Sequence, residues 1–311
     1  MISCKKGLTI GGVRLSGGIC GIILPRMKFA LSTNWCNGRL NDGAAIADEA
    51  EALGFDSLEL GFRTQPEQLQ GFRSRLDRMP VTSVHAYCPV PIGAPSGHPE
   101  LYQLCSDDAN ERALARMLLE KTFACAADIG AKVVVFHAGY ADLSTLFGNL
   151  FTTARKLRVK RGRKLLDAFM REFEGLVPSL EKKGITLALE NLPRQEGFPS
   201  LVEARALMSK FDGAPLRLWF DTGHALVRET HGWAGESAHM AAELLPWICG
   251  MHLNDVKGRY DDHQEPGWGN VDFARLTFLA KRDILRVFEP HEPVPAEDLR
   301  NALAYMRRMW S

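Results

Sequence analysis

The chain has 311 residues, a formal net charge of +1 and 24% charged residues, a balance that offers no strong field for nucleic acid or an anionic membrane. Its seven cysteines, at positions 4, 20, 36, 88, 105, 125 and 249, form no C-x-x-C pair. That argues against a disulfide framework or a zinc ribbon and suits a reducing cytoplasm. A hydrophobic content of 46% supplies a sizeable core, and no apolar run reaches the roughly 20 residues that cross a bilayer.

Residues 1–26 combine a short basic start with an apolar patch that Arg14 interrupts. With no small-x-small cleavage site, they read as an N-terminal extension, disordered or a small hairpin, rather than a signal peptide. From Met27 to Ser311 the chain alternates short β-rich runs with longer helical stretches. The runs are KFALS (28–32), DSLELGF (56–62), VTSVHA (81–86), AKVVVFHAG (131–139), ITLALEN (185–191), LRLWFD (216–221), ICGMHLND (248–255) and ILRVFEP (284–290). Several are almost wholly apolar, as parallel strands covered on both faces are. Between them, AAIADEAEALGF (44–55) and ERALARMLLEKTFACAADIG (111–130) carry apolar residues at helical spacing and a glycine at the last turn. Eight such units predict a single-domain α/β protein, a closed (β/α)₈ TIM barrel spanning 27–311. No G-x-G-x-x-G follows the first strand to favour an open sheet.

The strands end in ionisable residues: His85, His137, Glu190, Asp221, His252 with Asp255, and Glu289, the first of these separated by 52, 53, 31, 31 and 37 residues from His85 to Glu289. Each alone is most simply a hydrogen-bonded structural group. A barrel brings them to one rim, where converging charges repel and cost desolvation unless a cation neutralises them. Donors of His, Asp and Glu without Cys suit Zn²⁺, Mn²⁺, Co²⁺ or Fe²⁺, with Mg²⁺ also in range. His224 follows Asp221 by three residues, one helical turn. Asp261 and His263 are spaced i, i+2, which an extended loop would aim to one side.

The motifs VHAYCP, FHAG, LALEN, FDTGHA, HLNDVKG, DDHQEPGWGNVDF and FEP, in this order at strand ends, resemble those of the xylose isomerase-like barrel superfamily. The resemblance covers roughly residues 27–305 and includes two branches. One holds sugar-phosphate isomerases and epimerases, and the other holds the type IV apurinic endonucleases. The first implies one divalent metal on Glu190, Asp221, His252 and Glu289, with Glu190 and Glu289 moving a proton through an enediolate. It also implies substrate contacts from His224 and Glu196. The arginine often found six residues after the strand-seven histidine is replaced by Gly258, with Arg259 next. The second branch implies three zincs on His85, His137, Glu190, Asp221, His224, His252, Asp261, His263 and Glu289, all of which are present.

The short stretch from His252 to Asp261 and the sugar-isomerase cast of DTGHA and PGWGNVDF favour the first branch, with a small sugar or polyol as substrate. Abasic DNA is the alternative substrate, and a homo-oligomer is compatible with either. The run ARKLRVKRGRKLL (154–166) holds seven Lys or Arg and reads as a solvated helix face rather than a phosphate grip. Among Trp35, Trp219, Trp233 and Trp268, Trp219 is expected to pack within strand six. Trp268, beside His263, is the expected substrate wall. His98, His231 and His239 have no assigned role, and His291 stands close behind Glu289.

Overall fold

The computed structural model describes residues 27–94, 96–141, 151–291 and 293–311, with residues 151–157 described by their backbone alone. The N-terminal extension and the FGNLFTTA stretch up to residue 150 lie outside the described residues. Eight parallel strands close into a barrel. In chain order they are Ala30–Ser32, Ser57–Leu60, Val81–His85, Val133–Phe136, Thr186–Glu190, Leu216–Asp221, Ile248–Leu253 and Leu285–Phe288. The eighth strand pairs with the first, Ala30 opposite Val287, so no edge is left open. A two-stranded antiparallel ribbon, Gly139–Tyr140 with Gly197–Phe198, ties the loop after strand four to the loop after strand five.

Helix ends follow local chemistry. Asp42 caps Gly43–Leu53 through Ala44 N, and Asp108 caps Ala109–Ile129 through Asn110 N. Gly54 and Gly130 end these helices at φ 96° and 87°, conformations that glycine adopts without steric cost. The long helix Phe151–Lys183 carries the basic run. Its side chains Lys160, Arg163 and Lys164 are exposed. Arg158 departs from the expected solvated face: it is buried and pairs with both carboxylate oxygens of Glu203 at 2.7 and 2.8 Å. The side chains of Arg155 and Lys156 lie outside the description.

The two-residue period of each strand separates two cores. Leu58, Val84, Val134, Leu187, Leu189, Leu218, Phe220, Met251 and Leu253 join the large cluster under the helices. Ala30, Val133, Val135, Ala188, Trp219 and Val287 fill the barrel. Trp219 fits there because strand seven offers Gly250 opposite it: a Cβ at Gly250 would stand 2.0 Å from the indole ring. Continuing the inward register from Ala188 gives Glu190, and from Trp219 it gives Asp221. From Val135 it gives His137, from Val287 Glu289, and from Gly250 His252. The alternation that packs the barrel therefore also aims these polar groups into its mouth.

Candidate metal centre

All of Glu190, Asp221, His252, Glu289, His85, His137, His224 and His263 are buried, and Asp261 is the most exposed of the nine. They converge into three sets of donor atoms, each set lying within 4.8 Å: His85, His137 and Glu190; Glu190, Asp221, His252 and Glu289; and His224, Asp261 and His263. Glu190 belongs to two sets. The rest of the predicted group falls elsewhere. Arg259 lines the cavity above the centre. Glu196 is half-buried outside that cavity, its backbone carbonyl accepting from Ala141 N. Trp268 is 37% exposed under Lys257, whose Nζ lies 3.9 Å from its ring centre.

Two loop features explain these placements. Asp255, expected among the strand-end site groups, is spent on its own loop: its carboxylate accepts from the backbone N–H of Val256, Gly267, Gly269 and Val271 at 2.9–3.0 Å. That curls the PGWG segment back and carries Trp268 out of the cavity. The aromatic wall is instead Trp233, stacked on His231 at 4.1 Å. The Asp261–His263 pair does not meet through an extended loop. His263 has φ 46°, a left-handed turn uncommon for a non-glycine residue, and its Nε2 comes within 3.1 Å of Asp261 Oδ2.

Strand six supplies two sets through one turn. Asp221 caps the helix Thr222–Thr230 by accepting from His224 N at 2.6 Å. Its other oxygen accepts from Asn254 Nδ2 at 2.7 Å. Gly223 of DTGHA permits this approach, since a Cβ there would stand 1.8 Å from Asn254 Oδ1.

The histidines are oriented from outside. Nδ1 of His85, His224 and His263 lies 2.9, 2.8 and 3.0 Å from the backbone oxygens of Ala86, Asn191 and Glu289. A carbonyl oxygen only accepts, so these nitrogens carry the proton. Two carboxylates that sequence reasoning missed do the same for the other two histidines. Glu59 Oε1 is 3.0 Å from His252 Nε2, and Glu100 Oε1 is 3.2 Å from His137 Nδ1. Glu59 could have been found as the lone carboxylate in the apolar strand SLEL; Glu100 lies in a loop without such a signal.

Each imidazole thus turns its second nitrogen inward. Nε2 of His85 and His137 are 3.3 and 3.2 Å from Glu190 Oε2. His224 Nε2 is 3.1 Å from Asp261 Oδ2. His252 Nδ1 is 3.1 Å from both Glu190 Oε1 and Glu289 Oε2. A neutral imidazole in this pose sets a lone pair against carboxylate lone pairs, so it must take a proton or share a cation.

Without a metal, the surroundings favour the proton at His137, His224, His252 and His263. Burial opposes charge on His137, but Glu190 and Glu100 outweigh it and raise its pKa to about 9. Burial likewise opposes charge on His263, and Asp261 and Glu289 raise it to about 9. Burial would raise Glu190, yet His252 and His137 hold it well below the usual carboxylate range. Asp221 goes the other way, raised to about 6 chiefly by burial. This all-nitrogen-and-oxygen donor set fits divalent ions.

A cavity of about 530 Å³ opens above the centre. Its wall carries Arg63, Arg194 and Arg259 together with Tyr140, Trp233 and Tyr260. His291, stacked on His263 at 3.9 Å, also lines it.

The closed barrel gathers these convergent ionisable groups at the C-terminal rim of its strands, and the chain belongs to the xylose isomerase-like TIM barrel family, matched over residues 47–309. A probable endonuclease 4 of Mycobacterium tuberculosis is 29% identical over 246 residues, 75% of this chain and 83% of that protein. An uncharacterized Methanocaldococcus jannaschii protein is 26% identical over 178 residues, 54% of this chain, and the chain spans only 55% of its length. Two solved structures share the fold. A D-tagatose 3-epimerase-like protein has a TM-score of 0.66 at 21% identity, covering 92% of this chain and 100% of its own. A Thermus thermophilus protein soaked with zinc chloride has a TM-score of 0.63 at 23% identity, covering 91% and 98%. Among the described residues no helix is long and apolar enough to cross a membrane.

Proposed function

We propose that the chain is a multinuclear divalent-metal hydrolase of phosphate esters, with Glu190 common to two of the donor sets that would hold the ions. The observation that carries this is the presence of three donor sets with one shared carboxylate. A single-metal isomerase needs Glu190, Asp221, His252 and Glu289, with His224 for its substrate, and leaves His85, His137, Asp261 and His263 without assigned work. The preference drawn from the motifs, for an isomerase, is therefore reversed in favour of its alternative.

His85, His137 and Glu190 would hold one ion, Glu190, Asp221, His252 and Glu289 a second, and His224, Asp261 and His263 a third. Bound divalent cations supply charge that neutralises phosphoryl oxygens and acidify a water for attack. The chain's own contribution is positional. Asn34 Nδ2 donates to Glu289 Oε1 at 3.0 Å and Asn254 to Asp221, so neither carboxylate can swing. Arg63, Arg194 and Arg259 offer guanidinium donors for a phosphate at the cavity wall, and Trp233 offers an apolar face for the remainder of the substrate.

The isomerase reading keeps one favourable observation, the four-residue set itself. The likeness to the probable endonuclease 4 supports phosphodiester chemistry.

The test is parallel assay of metal-loaded protein on bis(p-nitrophenyl) phosphate, an abasic DNA duplex and a panel of ketoses. Phosphodiester hydrolysis that falls at least a hundredfold in His137→Ala is expected. Ketose epimerisation unaffected by that substitution would overturn the proposal.

A further inference from the structure

We infer that Glu59 and Glu100, members of none of the three donor sets, are positioning residues that fix which nitrogen His252 and His137 present to a metal ion. The inference rests on the metal centre proposed above. Of the five histidines, three are oriented by uncharged backbone carbonyls. Only His252 and His137 are oriented by carboxylates that lie outside the donor sets; His224 Nδ1 also lies 3.3 Å from Glu190 Oε1, itself a member of them.

Glu59 is buried on strand two, with Oε1 on His252 Nε2 and Oε2 accepting from Ser83 Oγ at 2.8 Å. Ser83 is itself buried on strand three, so this carboxylate is locked from both sides. Its consequence is visible in the geometry: His252 turns Nδ1 inward, whereas the other four histidines turn Nε2 inward. Without Glu59 the ring is free to flip or change tautomer and withdraw that lone pair. Glu100 holds His137 Nδ1 and is itself held by the Tyr140 hydroxyl, with Arg194 lying 5.3 Å over the Tyr140 ring.

A carboxylate behind an imidazole orients it and raises its basicity more than a carbonyl does. The two donor sets that share Glu190 each contain one such histidine. The third, His224, Asp261 and His263, has carbonyl-backed histidines and the most exposed carboxylate. Its ion is therefore the most weakly held.

The experiment is a competition titration of the metal-loaded full chain with a chromophoric chelator, together with the visible spectrum of the Co²⁺-substituted protein. The wild type is expected to lose its ions in steps. Glu59→Gln and Glu100→Gln should each weaken a tight step by about tenfold to a hundredfold and change the Co²⁺ bands. A merely structural role would lower the denaturation midpoint while leaving affinities and spectrum as in the wild type, and that result overturns the inference. Should Glu59→Gln not fold, Glu100→Gln decides alone, because its side chain sits at the cavity wall, 19% exposed. A wild type that binds no ion overturns the metal centre and this inference together, whereas a metal-binding wild type with unaltered variants overturns the positioning roles only.

Discussion

His137 and His263 sit among more carboxylates than they can neutralise, and their raised pKa values of about 9 have a measurable consequence. A group raised above its unfolded value of about 6.5 stabilises the fold fully below that pH and loses the contribution as pH climbs through its folded value. Asp221, raised to about 6, has finished titrating before that window opens. Metal-free protein should therefore lose roughly 5 °C of melting temperature between pH 7 and 9. Metal-loaded protein should not, since an ion requires the unprotonated imidazole and binds more tightly as pH rises. Thermal scans across this range with and without a chelator would decide it; a flat metal-free profile would mean that the histidines are not held by the carboxylates.

Most of these residues were legible because they end apolar strands, where a charged group stands out. Glu59 was overlooked although it is the lone carboxylate of the apolar strand SLEL, because it lies inside the strand and not at its end. Trp268 illustrates the reverse error. Proximity in sequence to His263 suggested a substrate wall, but the loop's hydrogen bonds to Asp255 turn it outward.

At the scale of elements, the alternation of helix and strand specified the barrel, and two helices carry their own boundary signal: an aspartate caps Gly43–Leu53 and Ala109–Ile129 and a glycine ends each. Apart from Leu216–Asp221, which matches its run, the strands observed are one to five residues shorter than the apolar runs, which continue into the loops that hold the site. Loop geometry was the part that the residue pattern did not carry. The left-handed backbone at His263 and the four N–H groups collected by Asp255 arise from contacts between segments, not from local propensity.

The loop from Val256 to Val271 therefore depends on one side chain. Asp255→Ala strands four backbone donors and should destabilise the protein by about 4 kcal/mol, at roughly 1 kcal/mol per group left unpaired. It should also release Asp261 and His263 from the centre. Chemical denaturation would measure the first effect and metal retention the second; a stable variant with full metal content would show that the loop is held by something else.

For the whole molecule, barrel closure is what turns scattered residues into a site. Glu59 and His252 are 193 residues apart, and Asn34 and Glu289 are 255 apart, yet closure brings each pair within hydrogen-bond distance, the first across the barrel and the second at the seam between strands one and eight. The near-neutral overall charge had argued against a nucleic-acid substrate. Charge is distributed rather than absent: carboxylates form the floor of the cavity, and Arg63, Arg194 and Arg259 stand along its wall. Such a division suits an anion that bridges cations below and guanidinium groups above.

The central claim is that the nine convergent side chains hold more than one ion. Elemental mass spectrometry of the full chain, purified without chelator and paired with native mass measurement, tests it most directly. Two or three divalent ions per chain are predicted, falling by one in a His85→Ala, His137→Ala double variant. A single ion per chain that survives both substitutions, and His263→Ala as well, would contradict a multinuclear centre and return the chain to single-metal chemistry on Glu190, Asp221, His252 and Glu289.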